Sequence, residues 1–151
     1  MRCGGLVNFE VIKTIEFCAG HRVMRHDSKC ANPHGHHYVV GVTVRGPLND
    51  EGAQTGMVMD FSHLRALLER LVHDRWDHGF LVEDGDPLAA LLLGADEGWK
   101  VDVVAWTPTA ENIAAEVLAV LGKALVEVMP GAEVIEVSVR ESPTSTAVVE
   151  P

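Results

Sequence analysis

The chain has 151 residues and a formal net charge of -10, because 22 acidic residues outweigh 12 basic ones. It contains no block of basic residues, which disfavours binding to nucleic acid or to an anionic membrane surface. The length suits one domain, which we expect to span residues 1–151, and no segment is apolar for long enough to cross a membrane. The first residues show no secretory signal pattern, so the sequence predicts a cytoplasmic protein.

The cysteine content points to reduced thiols. Cys3, Cys18 and Cys30 are odd in number and form no CxxC pair. A disulfide framework normally needs paired cysteines, so we expect none here.

The first half of the chain predicts two strands followed by a helix. Residues 7–17 alternate imperfectly between apolar and polar side chains, and residues 38–45 are rich in β-branched side chains before Gly46 and Pro47. Asp60 is the expected N-cap of a helix whose apolar positions recur at helical spacing. These positions are Leu64, Leu67, Leu68, Leu71 and Val72.

The second half predicts a long helix and a hairpin. A short helix is indicated at 87–93 and a short extended piece at 100–106. The long helix follows Thr109 as its N-cap, and strands are predicted at 133–142 and 145–149. The expected order ββααββ gives an α+β fold: a four-stranded antiparallel sheet with two long helices on one face. Its open edges favour a closed oligomer.

The segment "CANPHGHHY", residues 30–38, places a cysteine and three histidines within nine positions. In an extended strand, side chains two residues apart point to the same side, so His34 and His36 converge. His21, at the end of the preceding strand, can reach the same point if the two strands pair. Three imidazoles with an open fourth position are typical of catalytic zinc, although a histidine-rich polar turn is the alternative.

The remaining cysteine and histidines near these strands give weaker signals. Alternation places Cys18 on the face opposite His21, where we expect it to pack, and turns His37 away from His34 and His36. Three further histidines lack convergent partners and are interpreted as structural or exposed: His26, His63 and His73.

Two further features could carry proton transfer. Cys30 lies in a polar loop four residues before His34, near the predicted metal but not bound to it. Asp77 precedes His78 directly, and a carboxylate that orients an imidazole is a common arrangement for proton transfer. Adjacent residues can point apart, so this pair needs a turn to interact.

Six motifs, in order along the chain, resemble the family of 6-pyruvoyl-tetrahydropterin and 6-carboxy-tetrahydropterin synthases. They are "FCAGHR", "CANPHGHHY", "GMVMDF", "DH" at 77–78, "PTAENIA" and "VRES". The resemblance implies a T-fold, whose four-stranded units oligomerise into barrels, commonly hexamers, with active sites at subunit interfaces. The pair Asp77 and His78 then serves the metal of a neighbouring subunit.

The same resemblance implies roles for nine residues. Zinc is held by His21, His34 and His36. The proton-transfer group is Cys30, Asp77 and His78. Glu141 anchors the pterin ring, since a carboxylate accepts paired N–H donors, and Thr109 and Glu111 line the same pocket.

The three-residue gap between Cys30 and His34 resembles the bacterial 6-carboxy-tetrahydropterin synthases. This implies conversion of 7,8-dihydroneopterin triphosphate to 6-carboxy-5,6,7,8-tetrahydropterin, with release of acetaldehyde and triphosphate, on the path to queuosine. The alternatives are 6-pyruvoyl-tetrahydropterin synthesis, cleavage of the sepiapterin side chain, or a non-catalytic pterin- or metal-binding T-fold protein. For the triphosphate we predict a basic mouth formed by Arg22, Arg25 and Lys29.

Overall fold

A computed structural model describes residues 7–151, so Cys3 and the other residues before Val7 lie outside it. Its strands are β1 (Phe9–His21), β2 (His34–Gly46), β3 (Gly79–Glu83), β4 (Val101–Val104), β5 (Glu133–Ser142) and β6 (Ser145–Val149). Its α-helices are α1 (Phe61–Leu68), α2 (Asp74–Trp76), α3 (Pro87–Gly94) and α4 (Ala110–Val128). None of the helices in the described residues is both long and apolar enough to cross a membrane.

The sheet has six strands, in the order β4-β3-β1-β2-β5-β6. The α+β class and the four predicted strands are confirmed, but the prediction of a four-stranded, wholly antiparallel sheet is wrong. β1 pairs with β3 in parallel over three residues, Ala19–His21, and β3 pairs in parallel with β4. The two added strands therefore extend the sheet only at the end of β1 where His21 lies.

The added strands form a β–α–β unit around α3. Parallel neighbours cannot be joined by a tight turn and need a crossover, which here is the predicted short helix. Asp86 caps α3 by accepting a hydrogen bond from the Leu88 N–H at 2.8 Å. β3 was missed because five residues carry too little periodic signal to be told from a loop.

The predicted N-caps of the longer helices are confirmed. The Asp60 carboxylate accepts from the Ser62 N–H at 2.7 Å, and the Thr109 hydroxyl accepts from the Asn112 N–H at 3.3 Å. α1 continues into a π-helical turn, Glu69–His73, and then into α2. This widened turn rotates the end of the helix, and such turns often occur near functional sites.

The core lies between the sheet and the helices. Phe17 stacks on Tyr38 with ring centroids 5.1 Å apart, and Trp76 packs against Phe17 at 5.7 Å. The indole N–H of Trp76 donates to Asp102 at 2.8 Å, which satisfies its only polar atom. These aromatic residues tie β1, β2 and the end of the α1–α2 segment into one cluster.

One irregularity changes which face of β5 is buried. The pairing of β2 with β5 shifts between Thr43 and Val44, so Ile135 is an extra residue in the ladder. Val134 and Val137 are both buried as a result, although they are three positions apart. Strict alternation would place Val134 and Val137 on opposite faces, and the bulge that overrides it leaves no clear sign in the sequence.

The buried face of α4 should carry much of the stability. Leu121 is fully buried, whereas Val126 on the same helix is 67% exposed. We expect Leu121→Ala to lower the free energy of unfolding by about 2–5 kcal/mol, because it leaves a cavity. Val126→Ala, measured by the same urea titration, should cost less than about 0.5 kcal/mol. Equal losses for the two variants would contradict this packing.

Candidate metal centre and active-site cavity

The pairing of β1 with β2 brings the three predicted histidines together. His21 lies directly opposite His34, and His36 lies two residues further along the same face of β2. The ring centroids are 4.5 Å apart for His21 and His34, 5.1 Å for His21 and His36, and 4.9 Å for His34 and His36. One nitrogen of each ring lies within 4.8 Å of the others, which is the arrangement that can hold a metal ion.

Gly35 permits this close approach of the two strands. A Cβ atom at this position would lie 2.9 Å from the Ala19 carbonyl oxygen, closer than real Cβ atoms come. Only glycine therefore fits between the two converging histidines, because a larger residue would push β2 away from β1.

Backbone carbonyls fix the tautomers of two of the rings. The Nδ1 atom of His21 lies 2.5 Å from the Pro108 carbonyl, and that of His34 lies 2.7 Å from the Asn32 carbonyl. A carbonyl only accepts, so each Nδ1 carries the proton and each Nε2 presents a lone pair. The His21 Nε2 is buried without a hydrogen-bond partner, so a cation fits the place that it faces.

The electrostatics of the cluster favour neutral rings. Burial lowers the pKa of His21, and the positive charges of neighbouring histidines lower it further, against the Pro108 bond and Glu141. Burial also lowers the pKa of His36, against the opposing effect of the Glu141 carboxylate, and the positive charges of His34 and Lys29 lower it further. Both rings are therefore neutral at pH 7 and ready to bind a metal.

Glu141 lies at the edge of the histidine cluster. Its Oε1 atom is 3.6 Å from Nε2 of both His21 and His36. Together with burial, this carboxylate raises the pKa of Tyr38, whose ring contacts His36 at a centroid distance of 5.6 Å. The residue predicted to anchor a pterin thus borders the metal centre directly.

A cavity of about 410 Å³ opens beside His21 and contains several predicted site residues. Cys30, on a 3₁₀ turn at Lys29–Ala31, and Glu141 both line it. Thr109 and Glu111, at the start of α4, contribute another wall. Thr144 in the turn between β5 and β6 and residues 145–147 at the start of β6 complete the lining, and no sequence motif marked them as site residues.

Asp77 and His78 interact but do not line this cavity. The Nδ1 atom of His78 lies 2.6 Å from Oδ2 of Asp77, and the imidazole is 84% exposed. His78 borders a separate depression with Cys18 and His37. The pKa of Asp77 is lowered, mainly by a hydrogen bond from the Cys18 N–H and next by His78. Asp77 and His78 thus meet through the turn that their adjacency requires. The depression beside His78 also includes His36, but Cys30 lines the other cavity.

Two sequence predictions near the site are wrong. Cys18 is exposed and does not pack, because the sheet face opposite the helices is uncovered in this chain. The basic mouth is largely neutralised: Arg22 forms an ion pair with the buried Asp86, and Arg25 pairs with Glu83. Arginine beside carboxylate prefers such bidentate pairing to a free position.

The other histidine predictions hold. His37 points to the far side of the sheet, 3.0 Å from Glu16. His26 and His63 are exposed and His73 is half-buried, and none belongs to the three-histidine group. His26 nevertheless lines the cavity, where its Nδ1 accepts from the Ser28 N–H at 2.9 Å.

Sequence reasoning missed the residues that orient the ligands. Asn32 and Pro108 act through backbone carbonyls, which any residue type could supply, so composition gives no signal for them. Tyr38 lies below His21 and His36, and its hydroxyl is buried without a hydrogen-bond partner. Tyr38 could have been predicted beside the histidines, because it follows His36 by two residues and alternation puts both on one face.

Comparison with known proteins decides the family. The family model of 6-pyruvoyl tetrahydropterin synthase matches residues 10–151. This chain belongs to that family. A probable 6-carboxy-5,6,7,8-tetrahydropterin synthase of Halobacterium salinarum is 39% identical over 135 residues, covering 89% of this chain and 82% of that protein. The 6-carboxy-5,6,7,8-tetrahydropterin synthase of Aquifex aeolicus is 33% identical over 161 residues, covering 93% and 97%.

Solved structures of similar proteins share the fold. An uncharacterized protein of Wolinella succinogenes is 25% identical with a TM-score of 0.80, covering 95% of this chain and 98% of its own. A 6-pyruvoyltetrahydropterin synthase of Plasmodium vivax is 20% identical with a TM-score of 0.68, covering 96% and 98%. The family fold expected from the motifs is thereby confirmed for the single chain, whereas its assembly into a barrel stays a prediction.

The histidine cluster predicts stoichiometric zinc binding. We expect one Zn²⁺ per chain in a calorimetric titration, and His21→Ala should weaken binding at least about 100-fold, more than is typical for losing an outer-shell partner. His37→Ala, beside His36 but facing away, should bind like the parent protein. Because the pKa values of His21 and His36 lie below 6.5, protons should compete with zinc only below about pH 6.5.

The same titration separates two uses of Glu141. If this carboxylate binds substrate and not metal, Glu141→Gln should leave the zinc affinity nearly unchanged. A loss comparable to that of His21→Ala would make Glu141 a fourth ligand and would contradict an open coordination position.

Proposed function

We propose that this chain is a zinc-dependent lyase that converts 7,8-dihydroneopterin triphosphate and water to 6-carboxy-5,6,7,8-tetrahydropterin, acetaldehyde and triphosphate. The observation that carries the proposal is the group of three histidines beside the cavity that also holds Cys30 and Glu141. The relatives from Halobacterium and Aquifex bear the name of this activity. A bound divalent cation would supply a positive charge that acidifies C–H bonds next to substrate oxygens.

Within the cavity, Cys30 is the proposed proton carrier. Its side chain is half-buried and its backbone carbonyl accepts from the Val23 N–H at 2.8 Å, so the 3₁₀ turn holds it at the cavity wall. A thiolate at this position can remove a proton from the pterin side chain and return it to a neighbouring carbon. A positioned acid–base group of this kind contributes about 10²–10⁴ in rate.

Glu141 is the proposed acceptor for the pterin ring. Pterins present two adjacent N–H donors on a guanidine-like edge, and a carboxylate can accept both at once. Glu141 is partly exposed and lines the cavity together with Thr109 and Glu111. Binding the ring there leaves the substrate's side chain directed toward the histidines and Cys30.

Asp77 and His78 are proposed to act on the cavity of a neighbouring subunit. His78 is highly exposed and its pairing with Asp77 fixes the proton on Nδ1, which leaves Nε2 free to exchange a proton. Among residues 7–151, the outer edge of β6 and most of that of β1 are unpaired. We infer that these edges pair between copies into a hexameric barrel, which would bring the dyad to a partner's Cys30.

The proposal also places the protein in the cytoplasm and in queuosine synthesis. Cys18 and Cys30 are free thiols, which persist in a reducing compartment.

With Arg22 and Arg25 engaged in ion pairs, Lys29 is the remaining member of the predicted basic mouth, and it forms no ion pair within residues 7–151.

Product analysis tests the function. Zinc-loaded protein incubated with 7,8-dihydroneopterin triphosphate should release acetaldehyde and form 6-carboxy-5,6,7,8-tetrahydropterin, both read by mass spectrometry. Cys30→Ala and His34→Ala should slow turnover by about 10²-fold or more. His63→Ala, an exposed histidine on α1, serves as the control that keeps full activity.

Other products would redirect the assignment. A retained three-carbon side chain would identify a 6-pyruvoyl-tetrahydropterin synthase, and cleavage of sepiapterin alone would identify a side-chain lyase. Zinc or pterin binding without any turnover would leave a non-catalytic T-fold protein and refute the proposal.

Subunit mixing tests the shared active site. Cys30→Ala and His78→Ala chains should each be nearly inactive, because each lacks one half of the proton-transfer group. Refolding the two together should restore turnover, since some interfaces then combine an intact cavity with an intact dyad. Mixed oligomers that form, shown by native mass spectrometry, but stay inactive would place both groups in one subunit's site.

A further inference from the structure

The peptide between Asp77 and His78 has an unusual backbone. His78 has φ of +56°, in the left-handed region that glycine favours and a residue with a Cβ seldom adopts. Such a conformation is strained for a residue with a Cβ atom and persists only where surrounding contacts impose it. The contacts that hold this peptide therefore set the orientation of the exposed His78 imidazole.

Hydrogen bonds from two neighbouring segments hold most of the peptide. The Asp77 N–H donates to the His73 carbonyl at 2.8 Å, at the end of the π-helical turn. The His78 N–H donates to the Cys18 carbonyl at 2.7 Å, and the Cys18 N–H donates to Oδ1 of Asp77 at 2.9 Å. β1 and the helix thus fix both N–H groups and the carboxylate.

Lys100 supplies the contact to the carbonyl between the two residues. Its Nζ donates to the Asp77 carbonyl at 2.8 Å. The Lys100 backbone is itself fixed, because its carbonyl accepts from the Phe80 N–H at 2.9 Å. The stem of Lys100 passes over Gly79, where a Cβ atom would lie 3.3 Å from Lys100 Cγ and Cδ. Because Gly79 has no side chain, the aliphatic stem of Lys100 can pass over its backbone.

We propose that Lys100 is a positioning residue for the Asp77–His78 dyad, and that this is one purpose of the segment joining β3 to β4. The inference rests on the proposed function in assigning proton transfer to His78. Lys100 is the last residue before β4, so the β–α–β unit carries its ammonium group to the dyad. A cation at the end of a helix also complements the exposed carbonyls there.

The physical effect of Lys100 is to restrain rotation of one peptide. Without its donor, the Asp77 carbonyl can turn toward water, and His78 can relax to a negative φ value. The His78 Nδ1 then leaves the Asp77 carboxylate, and its Nε2 no longer points in a fixed direction. A catalytic group displaced by about 1 Å can lose as much as 100-fold in rate.

The experiment compares Lys100→Met, which keeps the stem without the charge, with Lys100→Arg, which keeps a cationic donor. Lys100→Gln is a second neutral variant, and Lys123→Met on α4 is the control for removing a lysine. Each zinc-loaded, full-length protein carries histidine labelled at Cε1, and the His78 signal is assigned by its loss in His78→Ala. The readouts are the His78 chemical shift, protection of its Nδ1 proton, and kcat and KM.

Lys100→Met and Lys100→Gln should shift the His78 signal and expose its Nδ1 proton, leaving the other histidine signals in place. In these variants kcat should fall about tenfold while KM changes little, because only the orientation of the dyad is lost. Lys100→Arg should restore both readouts, and Lys123→Met should match the parent protein. If the parent shows no turnover, the proposed function fails but the His78 spectra still decide the role of Lys100.

A His78 signal that is unchanged in both neutral variants would overturn the inference, whatever the activities are. Equal effects of Lys100→Arg and Lys100→Met would also overturn it, since a donor at this position would then be irrelevant.

Discussion

The antiparallel register between β1 and β2 is the constraint on which the site depends. It sets His21 opposite His34 and stacks Phe17 on Tyr38 in the layer beneath. A slip of one residue would turn every side chain of one strand to the other face and separate the ligands. The aromatic layer makes that slip costly, because it would expose two large rings that are now buried. Core packing and metal geometry are therefore fixed by the same pairing.

The structure divides the chemistry of the chain between two places. The cavity beside His21 also holds the Cys30 thiol and the Glu141 carboxylate, whereas His78 borders a different depression, which includes His36. Because the two sets of residues line different depressions, the assembly proposed above would let the dyad of one copy complete the cavity of another. Association would then be a condition for activity, in addition to protecting the unpaired strand edges.

The β3–α3–β4 unit links these two places to the rest of the fold. Asp86 at the start of α3 holds Arg22, one residue after the first histidine ligand, and Lys100 at the other end holds the backbone of Asp77. The same ion pair removes positive charge that a triphosphate could have used. This unit thus uses charged groups to set the geometry of neighbouring segments.

The sequence by itself predicted the convergence of His21, His34 and His36 and most elements, because strand alternation and helix caps depend on residues close together in the chain. The HxH spacing put His34 and His36 on one face, and Asp60 marked its helix. Only the tertiary structure decided the contacts between distant segments. The Pro108 carbonyl that orients His21 lies 87 residues away, and the bulge at Ile135 and the pairing of β3 depend on the neighbouring strands. Local patterns specify faces, whereas the register and partners of distant segments follow from packing the whole chain.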